Sequence, residues 1–132
     1  RMLRVDKVII SLLAESMKAY LNKEFELITT QKLLHKSVKE LEGLANFINK
    51  SLKTPLEIVH TQTFVGGGAM PNKKIPSVAL AFGGDANLNE LKFRQKKVIG
   101  RIENDKFMLD LRSLLDDDVE MLIKIINETE EK

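Results

Sequence analysis

Up to Pro55 the apolar residues recur every three or four positions; just beyond it, at Leu56–Val65 and Ser77–Phe82, they alternate. A helix returns a residue to the same face about every 3.6 positions and a strand every second one, so the change of period predicts helices before the proline and strands directly after it. The chain can be neither all-helical nor all-β. Its 132 residues leave room for one domain with a real core.

In the first part, Val5 to Asn22 carries Val5, Val8, Ile9, Leu12, Leu13, Ser16, Met17 and Tyr20 at helical spacing. Residues 23–36 are broken, with a short helical turn around Lys32–His35. Ser37 to Glu40 then reads S-V-K-E, a capping box in which each side chain satisfies the other residue's open amide. Leu41, Leu44, Ala45 and Ile48 give the following helix its apolar face, which fades near Ser51 before Pro55 closes it.

In the second part, Leu56 to Val65 alternates like a strand and ends at Gly66, Gly67 and Gly68. Val78, Leu80 and Phe82 alternate with Ser77, Ala79 and Ala81, a strand with one large and one small face. The small face is expected to let a helix approach closely. Gly83-Gly84-Asp85 turns the chain, and Asn87 is the expected cap of a short helix through about Gln95. Val98–Glu103 and Lys106–Arg112 form a hairpin around Asn104-Asp105, residues that tolerate positive φ. Gly100, inside a strand, marks a bulge or a close backbone approach. Asp116, Asp117 and Asp118 start a last helix with the stripe Val119, Leu122, Ile123 and Ile126, and residues 128–132 are expected to fray. The fold class is therefore α+β: a mainly antiparallel sheet of about four strands with helices packed on one face, after a long connector helix.

Composition removes several functions. With 21 Lys+Arg against 19 Asp+Glu, the chain is too balanced for a strongly basic nucleic-acid module, so any RNA contact must be local. It has no cysteine, hence no disulfide and no thiolate zinc site. No apolar run approaches the roughly 18 residues of a membrane helix, and a cytoplasmic protein with no membrane contact is expected. Beginning at Arg1 rather than Met, the chain is expected to be a fragment or a processed product.

Candidate chemistry is sparse. His35 and His60 lie in unlike elements without metal-ligand spacing, and no metal site is expected. Asp116–Asp118 reads as a solvated helix start. Gly66-Gly67-Gly68 is either a loop needing positive φ or an anion cradle of successive amides. Arg101 and Arg112 read as ordinary surface or ion-pair arginines. Arg1 and Arg4, spaced i, i+3, are either solvated or able to grip one anion with two guanidinium forks. Lys73-Lys74 and the R-Q-K-K run at Arg94–Lys97 are the only candidates for a basic face.

Three blocks carry a resemblance. R-M-L-R-V-D-K at residues 1–7, V-G-G-G-A-M-P at 65–71 followed by I-P-S at 75–77, and V-I-G-R-I-E-N-D-K-F-M-L-D-L-R-S-L at 98–114 resemble, in order and spacing, bacterial selenocysteine synthases, the L-seryl-tRNA(Sec) selenium transferases. Met2 stands where the family usually has alanine, and Thr29, Lys97 and Asn104-Asp105 depart from the family pattern at turns and edges. The resemblance implies the small C-terminal domain of a fold-type-I pyridoxal 5'-phosphate (PLP) enzyme. Residues 1–22 would be the connector helix from the large domain and residues 23–132 the small domain. It also implies conversion of seryl-tRNA(Sec) to selenocysteinyl-tRNA(Sec) with selenophosphate, in a homodecameric ring. The cofactor lysine would lie upstream, so the chain alone is expected to be inactive and to hold no PLP, and no catalytic residue is assigned to it. Arg1 and Arg4 match the family's arginines for anionic phosphate or selenium-donor groups, and Gly66, Gly67 and Gly68 would form an active-site loop. The alternatives are the small domain of another fold-type-I enzyme, lyase- or aldolase-like, or a stand-alone RNA-binding or interaction module.

Overall fold

The computed structural model describes residues 5–65 and 73–130. The chain divides into two compact units, one ending at His35 and the other starting at Lys36.

In the first unit, α1 (Lys7–Leu21) begins at Asp6, whose carboxylate accepts from the Ile9 amide at 2.9 Å. It ends as Lys23 takes a left-handed φ of 58° and the Glu24 amide donates back to the Ala19 carbonyl at 2.8 Å. A short 3-10 turn at Phe25–Leu27 leads into α2 (Thr29–His35). Phe25 joins these pieces, edge-on to Tyr20 and stacked on His35 at a centroid distance of 4.2 Å. Only Ala19 of α1 is buried, and the helix keeps Val8, Ile9, Ile10, Leu12, Leu13 and Met17 exposed.

The second unit starts with α3 (Val38–Ser51), and the expected capping box is present. The Ser37 amide donates to Glu40 Oε2 at 2.6 Å and the Glu40 amide to Ser37 Oγ at 3.2 Å. These bonds hold the Glu40 carboxyl below its ordinary range. Asn49 closes the next loop by bonding both the amide and the carbonyl of Leu56. Strands β1 (Glu57–Phe64) and β2 (Lys74–Phe82) pair antiparallel, as do β2 and β4 (Lys106–Asp110), and β4 and β3 (Arg101–Glu103), giving the order β1-β2-β4-β3. Helix α4 (Ala86–Gln95) lies between β2 and β3 in sequence, and α5 (Val119–Glu130) closes the unit.

The core lies on the large-residue face. Val78, Leu80, Phe82, Phe107 and Leu109 of the sheet meet Leu41, Ala45 and Ile48 of α3, Ala86 and Phe93 of α4, and Val119, Leu122 and Ile126 of α5. Phe82, Phe93 and Phe107 form an aromatic cluster with centroids 4.7 to 5.5 Å apart. Among the described residues of the second unit, no helix packs on the small face as expected: Ala79, Ala81 and Met108 cluster instead with Val59 on the sheet itself. Large side chains remove more apolar area from water, so the helices gain more by covering that face.

Three local expectations shift. Asp85, not Asn87, caps α4, its carboxylate accepting from the Leu88 amide. The hairpin is shorter than expected, because Asp110 turns the chain into a 3-10 turn at Leu111–Ser113 by accepting from the Arg112 amide. Asp116–Asp118 form a 3-10 turn ahead of α5, which continues to Glu130, through the first three residues of the tail expected to fray; residues 131 and 132 lie outside the described residues. The Asn104-Asp105 turn stands as read, with φ of 51° and 58°. Gly100 is a close approach, since a Cβ there would fall 2.5 Å from the Phe107 ring and 2.6 Å from the Met108 carbonyl oxygen.

Candidate functional site: the small-residue face of the sheet

The chemistry-bearing side chains of the second unit gather on the face that the helices leave open. Alternation places Glu57, Val59 and Thr61 of β1, Ser77, Ala79 and Ala81 of β2, Lys106, Met108 and Asp110 of β4, and Arg101 and Glu103 of β3 on it. Small residues on β2 leave space above the middle of the sheet, and Arg101 fills it. Its Nη2 donates to Thr61 Oγ1 at 2.7 Å and lies 3.2 Å from Glu103 Oε2, while Nη1 lies 3.3 Å from Asp110 Oδ2. Glu103 in turn accepts from Thr61 at 3.1 Å. These contacts link β1 and β3, the two edge strands, so the sheet curls over this face. Between the two edges lies a cleft of about 420 Å³, lined by Val59, Thr61, Arg101, Glu103 and Met108 of this face and, at its rim, by Phe64 and Lys74, which alternation assigns to the other face.

Asp110 is the hinge of the network. Its Oδ1 accepts from Ser77 Oγ and from the Arg112 amide, and its Oδ2 faces Arg101 close enough for charge pairing but not aligned as a hydrogen bond. The Ser77–Asp110 pair superficially suggests an activated hydroxyl. Asp110 is instead a paired carboxylate, and no histidine joins it, so the pair fixes the hairpin on β2.

Arg112 departs from its expected surface role. It is only 6% exposed and donates to the carbonyls of Lys36 at 2.8 Å and Pro76 at 2.6 Å, tying the start of the unit to β2. Burial lowers its pKa and the Asp110 charge opposes that shift. Arg101 is the ion-pair arginine expected. Sequence reasoning missed Ser77, Thr61 and Asp110; the run of small residues at Ser77, Ala79 and Ala81 was the available signal, since it marks a face with room for a long polar side chain.

Of the sequence-selected residues, Arg1, Arg4, Gly66, Gly67 and Gly68 lie outside the described residues. His35 stacks on Phe25, and His60 Nε2 lies 3.1 Å from Glu42 Oε1 on α3. Asp116 pairs with Lys36 at 2.8 Å. Among the described residues, no group of three His, Cys, Asp or Glu side chains is placed to hold a metal ion.

Comparison with known proteins bears on the rest. The family model described as SelA, L-seryl-tRNA selenium transferase, matches residues 1–115. The L-seryl-tRNA(Sec) selenium transferase of Campylobacter concisus (strain 13826) is 97% identical over 132 residues, all of this chain and 30% of that protein. Proteins of the same name from Campylobacter fetus subsp. fetus (strain 82-40) and Campylobacter jejuni subsp. jejuni serotype O:6 are 53% identical over 127 residues and 45% over 130. Those alignments take in 96% and 98% of this chain against 29% and 30% of the relatives. The chain thus spans about 30% of the length of the curated relatives it matches. With a family model covering most of its length and end-to-end likeness to such proteins, the chain belongs to the L-seryl-tRNA selenium transferase family.

Proposed function

We propose that this chain is the smaller, C-terminal lobe of a PLP-dependent enzyme that converts seryl-tRNA(Sec) to selenocysteinyl-tRNA(Sec) with selenophosphate. The observation that carries the reading is the 97% identity, along the whole chain, to the C. concisus protein of that name. The first helix supports a larger body around it. At 100° per residue its apolar positions from Val8 round to Leu21 span roughly 220° of the helix, an arc suited to the interior of a bigger assembly. We take α1 as the connector to the large domain and the second unit as the body of the small domain.

The described residues do not themselves fit the cofactor. Lys36, with its side chain 13% exposed, is ion-paired with Asp116 and bonded to the Leu114 carbonyl, so it serves as a structural cation. We assign the cofactor lysine to the part of the protein outside this chain, and derive no step through the cofactor here. To Arg1 and Arg4 we assign neutralisation of the anionic donor, whose charge a planar guanidinium fork can meet with two parallel hydrogen bonds. Gly66, Gly67 and Gly68 would offer open amides at the active-site mouth. The proposal includes a homodecameric ring in the cytoplasm. Among the described residues, no helix is long and apolar enough to cross a membrane.

The test is selenium transfer by the full-length protein to seryl-tRNA(Sec) with selenophosphate. Transfer is expected, and Arg4→Ala should lower its rate by about 10- to 100-fold while the visible absorbance of the cofactor persists. Lyase or aldolase turnover of a free amino acid with no transfer to tRNA would overturn the reading.

A further inference from the structure

We infer that the cleft between β1 and β3 is a nucleotide subsite for the RNA substrate, in which a base stacks on Phe64 and a phosphate meets Lys74. The inference rests on the proposed function for the presence of an RNA substrate, and on the geometry for its location.

Phe64 ends the edge strand β1 with its ring 57% exposed. Lys74 is its antiparallel partner, and the ammonium lies 5.0 Å from the ring centroid. The ammonium covers one face of a residue that is still 57% exposed, so the ring keeps a face for a base and the cation stands next to it for a phosphate, the two contacts single-stranded nucleic acid offers. The cleft they line is about 420 Å³, within the roughly 300–1,000 Å³ of small-ligand sites. Gln62 and Asn104 line it too, and among the described residues their side-chain amides hold no hydrogen bond, so they are available to base edges.

Electrostatics also favour an anion-bearing ligand. Arg101 sits between Glu103 and Asp110 and Lys106 pairs with Glu57, and the charged residues that line the cleft itself are Lys74 and Arg101 against Glu103, a positive balance. Lys74 touches the Phe64 ring and no carboxylate among the described residues, and Lys73 beside it is exposed. A chain of net charge +2 can hold RNA only at a local point of this kind. A protein partner would call for continuous apolar surface, whereas the apolar residues of the cleft, Val59, Phe64, Ile102 and Met108, are interleaved with Thr61, Gln62, Lys74, Arg101 and Glu103.

The experiment is equilibrium binding of a tRNA(Sec) transcript to the full-length protein across a salt series. Phe64→Ala is expected to weaken binding by about 5- to 50-fold, with Phe64→Trp restoring it to within about twofold. Lys74→Ala should reduce the slope of log affinity against log salt by about one. Both side chains are surface residues, so thermal unfolding should be unchanged and a folding defect separable. Binding within about twofold of wild type in Phe64→Ala, with an unaltered salt slope in Lys74→Ala, would overturn the subsite alone. If Phe64→Ala instead changes the sedimentation of the protein and leaves tRNA binding intact, the surface is a protein contact and the inference fails. If the unmodified protein binds no tRNA, the subsite and the proposed function fall together.

Discussion

Helices α1 and α3 are nearly equal in length, 15 and 14 residues, yet they dispose of their apolar side chains differently. On α3 the core-facing positions Val38, Leu41, Leu44, Ala45 and Ile48 fall within roughly 120°, with Leu41, Ala45 and Ile48 wholly buried against the sheet, while Phe47 lies outside that stripe and is 56% exposed. On α1 the arc is nearly twice as wide as that buried stripe and its large residues stay more than half exposed, from 54% at Ile9 to 73% at Leu21. The width of the stripe separates the two cases. A single sheet face covers a narrow stripe, whereas a wide one needs neighbours on several sides. The second unit carries its core within itself; α1 leaves a wide apolar arc uncovered within its own unit.

The sharpest way to break this comparison is to empty the core of the second unit. Phe93→Ala removes a ring that is 1% exposed and in contact with Phe82 and Phe107, and should cost about 3–5 kcal/mol in denaturant unfolding of the 132-residue chain. A loss below about 1 kcal/mol would mean that this core is not the source of the unit's stability. Next in size, Arg112→Ala strands the Lys36 and Pro76 carbonyls and leaves Asp110 short of a cation. A loss of about 2–4 kcal/mol is expected, and Arg112→Lys should recover only part of it because one ammonium cannot span both carbonyls.

Ser37→Ala should cost about 1 kcal/mol by removing the cap of α3. It also has a pH signature. The Ser37 bonds depress the Glu40 pKa in the folded state, so their contribution is complete above the ordinary glutamate range and is lost as pH falls through the lowered value. Stability measured against pH should therefore show a smaller acid-side decline in Ser37→Ala than in wild type. Smallest of all, Leu12→Ser on α1 should change the stability of the 132-residue chain by less than about 0.5 kcal/mol, because that side chain is 64% exposed. The same substitution in the full-length protein should cost about 1–3 kcal/mol if α1 is covered there. Equal small effects in both settings would remove the case for a covering body.

What the sequence made legible was governed by neighbours in the chain. The Ser37–Glu40 capping box, the positive-φ turn at Asn104-Asp105 and the close approach at Gly100 each depend on a few consecutive residues or on one hairpin. The choice of Asp85 over Asn87 as cap shows the limit of such reading, since both residues can cap and a two-residue offset decides which faces the open amides. The face of the sheet chosen by the helices was not legible in the same way. Ser77, Ala79 and Ala81 suggested a close helix, but the comparison that matters is between the areas removed from water on the two faces, and that is a sum over residues from β2, β4 and three helices. The Arg101 network was hidden for a related reason: Thr61, Ser77, Arg101 and Asp110 come from four strands and meet only when the sheet curls.

By itself the sequence determined where helices and strands start and turn, and which family the chain resembles, because periodicity, caps and short motifs are written in adjacent residues. Only the tertiary structure decided that Arg112 is a buried tie and that a cleft with an exposed ring and an adjacent ammonium opens between β1 and β3. The reason is physical. Burial and charge pairing belong to the packed surface, and residues 36, 76 and 112, or 64 and 101, become neighbours only after the sheet has formed.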